Sequence, residues 1–121
     1  MPESQSAAID QTVLAQLPLT PLSFHILLTL VDAERHGYGI MKEIEQRTEG
    51  LMSPATGPLY LAAQRLLETG LIEESANRPA PEFDDQRRKY YRLTDFGRRV
   101  VAADAIRMAR LVDLAREKKL L

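Results

Sequence analysis

The chain has 121 residues, of which 45% are hydrophobic and 27% charged, the size and balance of one soluble globular domain with a single modest core. It has no cysteine, which excludes disulfides, thiolate catalysis and thiolate zinc sites, and its formal net charge of −1 counts against a protein that coats nucleic acid non-specifically. The first residues have neither a basic start nor a long apolar run, so they do not read as a signal peptide; the longest apolar patch, 26–31, is far too short to span a bilayer, and a cytoplasmic location without a membrane partner is expected.

In chain order, Ser6–Leu17 carries Ile9, Val13, Leu14 and Leu17 at helical spacing and predicts a short amphipathic helix that Pro18 ends. Thr20-Pro21 is a helix start: the threonine can cap free amides, and proline suits the first helical position because its missing N–H is not needed there. The helix that follows, Leu22 to about Ala33, is apolar nearly all round and is expected to be the centre of the core. His36-Gly37-Tyr38-Gly39 reads as a turn into a third helix, about Tyr38–Thr48, with Ile40, Met41 and Ile44 inward and Gly50 as its stop. A fourth helix starts at Thr56 or Gly57, which places Pro58 in the first turn where it is tolerated, and runs to about Thr69 with Gly70 after it. Its sides divide into Leu59, Ala62, Ala63, Leu66 and Leu67 against Gly57, Tyr60, Leu61, Gln64, Arg65 and Glu68.

Leu71–Ser75 is a strand candidate, 77–86 a polar loop, and Arg88–Leu93 a second strand with period-two alternation, so a two-stranded hairpin with a long tip is expected. Thr94-Asp95 caps a final helix that runs nearly to the end. Val101, Ala105, Met108, Val112 and Ala115 repeat along it at alternating four and three, a heptad-like seam, with Val100, Ala103, Leu111 and Leu114 beside it. The order of elements predicts a mainly α fold with a two-stranded β wing: a winged helix-turn-helix over 19–93, an N-terminal helical extension over 1–18 and a long C-terminal dimerisation helix over 94–121. In that arrangement the helix after the turn enters the major groove and the hairpin reaches flanking phosphates.

Leu22-Ser-Phe-His-Ile-Leu27, His36-Gly-Tyr-Gly-Ile40, Leu59-Tyr60, Arg65-Leu66, Gly70-Leu-Ile72 and Arg88-Lys-Tyr-Tyr-Arg-Leu-Thr-Asp-Phe-Gly97 together resemble the PadR family of bacterial transcriptional regulators over roughly residues 19–100. The resemblance implies a winged helix-turn-helix homodimer on a palindromic operator in double-stranded DNA, commonly a repressor released by a small aromatic or amphiphilic molecule. The chain has Gly57-Pro58 where the family usually has Gly-Thr, and Ala63-Gln64 where a leucine and a basic residue are usual, so its fourth helix is less basic than the pattern.

The candidate DNA-binding set is Ser53, Thr56, Gly57, Tyr60, Gln64 and Arg65 from the fourth helix and its approach, with Arg87, Arg88 and Lys89 from the wing. Gln suits adenine and Arg suits guanine, Tyr60 suits a phosphate, and the basic run would displace counterions. The plainer alternatives are a solvated helix face and a charged hairpin paired with Glu82, Asp84 and Asp85. Tyr90 and Tyr91 point to opposite faces of their strand, one core and one partly exposed; Tyr38 is expected to be a packing residue. Val101, Ala105, Met108, Leu111, Val112 and Ala115 are the candidate dimerisation residues, although a small domain could also use that seam for its own core. His25 and His36, the only histidines, have no partners at metal-site spacing, and His25 is expected near the core or a dimer cleft. No metal or other cofactor is expected. With no nucleophile–base pair, phosphate-cradling loop or buried carboxylate pair, the chain does not read as an enzyme. The competing reading is a winged-helix module that binds protein instead of DNA.

Overall fold

The computed structural model describes residues 10–75 and 89–121. Most of the long hairpin tip, with Glu82, Asp84, Asp85, Arg87 and Arg88, lies outside the described residues, as does the start of the expected first helix. The described elements are α1 (Gln11–Leu14), α2 (Pro21–Thr29), β1 (Arg35–His36), α3 (Gly37–Arg47), α4 (Thr56–Glu68), β2 (Ile72–Glu74), β3 (Tyr90–Leu93) and α5 (Asp95–Glu117).

Polar caps set where the helices begin. Thr20 accepts from the Ser23 amide at 3.1 Å, with Pro21 at the first helical position of α2. Thr94 accepts from the Gly97 amide at 2.9 Å and donates its own hydroxyl to the Gly70 carbonyl at 2.6 Å, so one side chain starts α5 and ties it to the end of α4. Asp10 caps α1 and pairs with Arg99, holding that short helix on α5. At α3 the cap is His36, whose Nδ1 accepts from the Gly39 amide at 3.0 Å, and the helix begins at Gly37.

The sequence reading is refined at two elements. The second helix stops at Thr29 rather than near Ala33. Arg35 Nε donates at 3.0 Å to Thr29 O, the carbonyl that the Ala33 amide would take in the longer helix, and Arg98 Nη2 donates to Val31 O at 3.1 Å just beyond it. The expected two-stranded wing is present as β2 and β3, and β1 adds a third strand in the antiparallel order β1-β3-β2. Arg35 and His36 pair with Tyr91 and Tyr90, while Ile72, Glu73 and Glu74 pair with Leu93, Arg92 and Tyr91. The wing is thereby fastened to the helix-turn-helix by backbone hydrogen bonds as well as by packing.

The core joins α2, α3, α4, the sheet and the first turns of α5. Ile26, Leu27, Ile40, Ile44, Leu59, Leu71, Ile72 and Val100 are almost wholly removed from water, each contributing about 1.5–3 kcal/mol. Glycine is required at one contact. A Cβ on Gly97 would lie 2.0 Å from the Leu71 carbonyl oxygen, so α5 can lie against the start of β2 only without a side chain there.

Candidate nucleic-acid interface

Helix α4 is amphipathic in the manner its sequence implies. Leu59, Ala63 and Leu66 are buried against α2 and α3, while Gly57, Leu61, Gln64, Arg65 and Glu68 are exposed. Its first turn has no side-chain cap: Ala55 precedes it, Pro58 has no N–H, and the amides of Thr56 and Gly57 open on the exposed side. The positive end of the helix dipole therefore lies where a phosphate can reach it. Gly57 has no neighbour within 4 Å of where a Cβ would stand and no positive φ, so nothing in the fold itself asks for glycine there.

Thr56, Tyr60 and Gln64 of α4 meet Lys89 and Tyr91 of the wing around one open cleft of about 530 Å³. Four residues of the expected DNA-binding set are thus brought together on one surface. Tyr60 sits at its inner edge, half-buried, with its hydroxyl against α3: a Cβ on Gly37 would fall 2.5 Å from that oxygen. Tyr60 is therefore positioned by α3 instead of standing free on the outer face. Burial and the neighbouring Tyr60 and Glu74 hold the Tyr91 phenol above its ordinary value near 10, so it is a neutral donor at physiological pH. Gln64 Nε2 lies 3.4 Å from Glu68 Oε2.

The remaining expected residues have different surroundings. Arg65 is exposed on the far side of α4 and makes no ion pair among the described residues. Ser53 donates its hydroxyl to Glu45 at 2.7 Å, beside Lys42, whose ammonium is 3.8 Å from the same carboxylate. On the wing, Lys89 pairs with Glu74 at 3.6 Å and Arg92 with Glu73 at 2.6 Å. The described wing cations are thus partly neutralised by carboxylates across the strands; Glu82, Asp84 and Asp85, the partners in the plainer alternative, lie outside the described residues. Arg87 and Arg88 lie outside the described residues.

Of the two tyrosines on β3, Tyr91 is buried and Tyr90 is half-buried, its ring edge-on to His36 at 5.2 Å. Tyr38, expected to be a packing residue, is more than half exposed and stacks on His36 with Lys42 5.6 Å over its ring. The first turn of α3 faces Tyr60 and β1, which leaves Tyr38 on the outer side. His25 is half-buried beside Arg47, Thr48 and Met52. Among the described residues no group of three or more His, Asp or Glu side chains could hold a metal ion, and no helix is long and apolar enough to cross a membrane.

The seam of α5 divides. Val101 is buried in the domain's own core, as are Val100 and Asp104. Asp104 accepts from Arg107 at 2.6 Å and from the Leu19 amide at 3.4 Å. Beyond that point Ala105 is exposed, Met108 and Ala115 are half-buried, and Leu111, Val112 and Leu114 are 52%, 40% and 49% exposed. The apolar row that no described residue covers starts after Asp104; Ile106, which the heptad reading left out, is also exposed but lies on the opposite side of the helix from that seam. Leu61 of α4, 56% exposed, is the other residue to which sequence reasoning gave no role; its signal was an apolar side chain on an otherwise polar face.

Comparison with known proteins places this arrangement. An uncharacterized protein of Lysinibacillus sphaericus is 34% identical over 73 residues, 60% of this chain and 64% of that protein, so the match spans less than two thirds of its length. A transcriptional regulator from Clostridium thermocellum superimposes with a TM-score of 0.67 at 24% identity, covering 90% of this chain and 96% of that one. Bacillus subtilis PadR, solved in complex with operator DNA, superimposes with a TM-score of 0.59 at 23% identity over 69% of this chain and 46% of that one. The model of the transcriptional regulator PadR-like family matches residues 26–103, from the core of α2 through the sheet to the buried part of α5, and the chain belongs to that family.

Proposed function

We propose that this chain is a sequence-specific double-stranded DNA-binding repressor that acts as a homodimer on a palindromic operator. The observation that carries the reading is the exposed side of α4: an uncapped first turn, a Gly57 the fold does not require, and an Arg65 with no ion pair among the described residues, while the wing brings Lys89 against Thr56, Tyr60 and Gln64 of the same helix. Phosphates would be held by the amides of Thr56 and Gly57 and by Lys89, while Gln64 and Arg65 would address base edges. That the Bacillus subtilis protein of the same fold has been solved on operator DNA supports the reading. The exposed apolar row of α5 supports the dimer, because two copies can cover it by antiparallel or crossed contact. An aromatic or amphiphilic effector lodged between the α5 row and the half-buried Phe24 of α2 completes the proposal.

The second reading, a module that binds protein instead, is favoured by the paired wing cations and the net charge of −1. Binding to genomic DNA fragments at low and moderate salt separates the two. Repression by DNA recognition requires binding that weakens steeply with salt and selects fragments of two-fold symmetry. No binding at any salt would leave the protein-binding module.

A further inference from the structure

At about 100° per residue, Leu61 lies nearly opposite the buried row of Leu59, Ala63 and Leu66, at the crest of α4. A crest position is the one that enters deepest when a recognition helix lies in a major groove. Its neighbours on the crest are Gly57, one turn before it and without a side chain, and Arg65, one turn after. Leu61 is 56% exposed and makes no use of the core. Leu61 lines an open hollow of about 310 Å³ with Leu22, Pro58 and Ala62 as its other apolar walls and Thr20, Ser23 and Arg65 as its polar ones. The absent Gly57 side chain keeps the approach to Leu61 clear.

The major groove offers an apolar group at one place only, the C5-methyl of thymine. We propose that Leu61 is a specificity-determining residue that reads a thymine methyl in each operator half-site, set against Pro58 and Gly57. Arg65, one helical turn or about 6 Å along the axis, would address a guanine within two base-pair steps of that thymine. Leu61 thus supplies discrimination by burial where Arg65 and Gln64 supply it by hydrogen bonds. A cytosine at the same position offers no methyl. This inference rests on the DNA-binding reading above.

The test begins with the operator that wild-type protein selects from random DNA. Each thymine of the half-site is replaced in turn by deoxyuridine, which deletes only the methyl. One position is expected to weaken wild-type binding about fourfold per half-site, the worth of one buried methyl, and about fifteenfold when both half-sites carry it. Leu61→Ala is expected to lose affinity for the thymine operator to the same degree and to bind the thymine and deoxyuridine operators equally. Leu61→Met, which keeps an apolar tip, is expected to retain the discrimination. Because Leu61 is exposed, both variants are expected to keep the wild-type melting temperature. The proposal is overturned if wild-type protein binds its operator but no deoxyuridine position matters, or if Leu61→Ala still discriminates. If wild-type protein binds no DNA, the DNA-binding reading fails and this inference with it, an outcome distinct from the first two.

Discussion

Two glycines in neighbouring helices face opposite demands. Gly97 is needed by the fold: a Cβ there would stand 2.0 Å from the Leu71 carbonyl oxygen and 2.8 Å from its carbon, and both belong to backbone that is fixed by the Thr94 amide. Gly97→Ala is expected to destabilise the domain by about 2–3 kcal/mol, as overpacking of a rigid contact does, and to lower the melting temperature by about 10 °C in thermal unfolding followed by circular dichroism. Gly57 is different, because the space around it is empty. Gly57→Ala in a helical first turn is expected to stabilise the domain by about 0.5–1 kcal/mol. It should nonetheless weaken operator binding by about tenfold, on the scale of one lost base contact. A glycine whose replacement helps the fold and harms binding is one kept for its partner. If Gly57→Ala raised stability and left DNA affinity untouched, close approach at that residue would be excluded.

Among the elements, β3 links the wing to the helices, and the residues at its start have separate roles. Tyr91 is buried. Its folded pKa lies above the ordinary value near 10 because burial disfavours the phenolate. The folded chain therefore holds that proton more tightly than the unfolded chain does. The stabilisation is fully present below pH 10 and is lost as pH rises through the folded value. Tyr91→Phe is expected to flatten this alkaline decline in denaturant titrations above pH 10 while leaving neutral behaviour to the lost hydroxyl alone. Just before β3, the exposed Lys89 is held by Glu74 at 3.6 Å. Glu74→Gln frees it and is expected to strengthen binding to all DNA sequences alike. Lys89→Ala is expected to weaken binding to all alike and to lower the salt slope by about 0.9, one phosphate contact. A change in sequence preference from either variant would mean that Lys89 reads bases. The elements that local chemistry specifies were legible from sequence: Thr20-Pro21 and Thr94-Asp95 mark their helix starts because a cap needs only the next three residues, and the two faces of α4 follow from helical period. The early stop of α2 was not legible, because its last carbonyl, Thr29 O, is taken by the Arg35 side chain and the segment after it is held by the distant Arg98 at Val31 O. Nor was β1, whose two residues are too few for any period and exist as a strand only through pairing with Tyr90 and Tyr91. The candidate site divides in the same way: Arg65 and Gln64 followed from helix phase, whereas the lodging of Tyr60 against Gly37 and the Lys89–Glu74 pair are tertiary contacts without a local signal.

At the scale of the whole molecule, α5 packs its first turns into the core of the monomer and leaves its later apolar residues exposed, the surface proposed for a second copy. Val100, Val101 and Asp104 are buried, and Arg107 still reaches Asp104, so a chain ending after Arg107 keeps its own core. Removing Met108 onward is expected to leave a folded monomer with weakened operator binding, since a lone half-site gives up the contacts of its symmetry mate. Sedimentation of the truncated chain as a dimer would place the interface elsewhere. The same geometry bears on release from DNA. Two recognition helices must stand about 34 Å apart to enter successive major grooves on one side of the duplex. In a dimer built on Met108, Leu111 and Val112, the proposed planar or amphiphilic compound, lodged between that interface and the half-buried Phe24 of α2, would set the angle at which the two subunits meet. Such a compound lowers DNA affinity only by its preference for the wrong spacing, so its effect must be reciprocal: operator DNA weakens its binding by the same factor. Screening aromatic acids and cationic amphiphiles against the DNA complex is expected to find a releasing compound. Phe24→Ala and Val112→Ala, on the two walls, are expected to blunt release more than they weaken DNA binding. If none of these compounds releases DNA, and the dimer holds α2 and α5 in direct contact with no cavity between them, control by such a ligand is excluded.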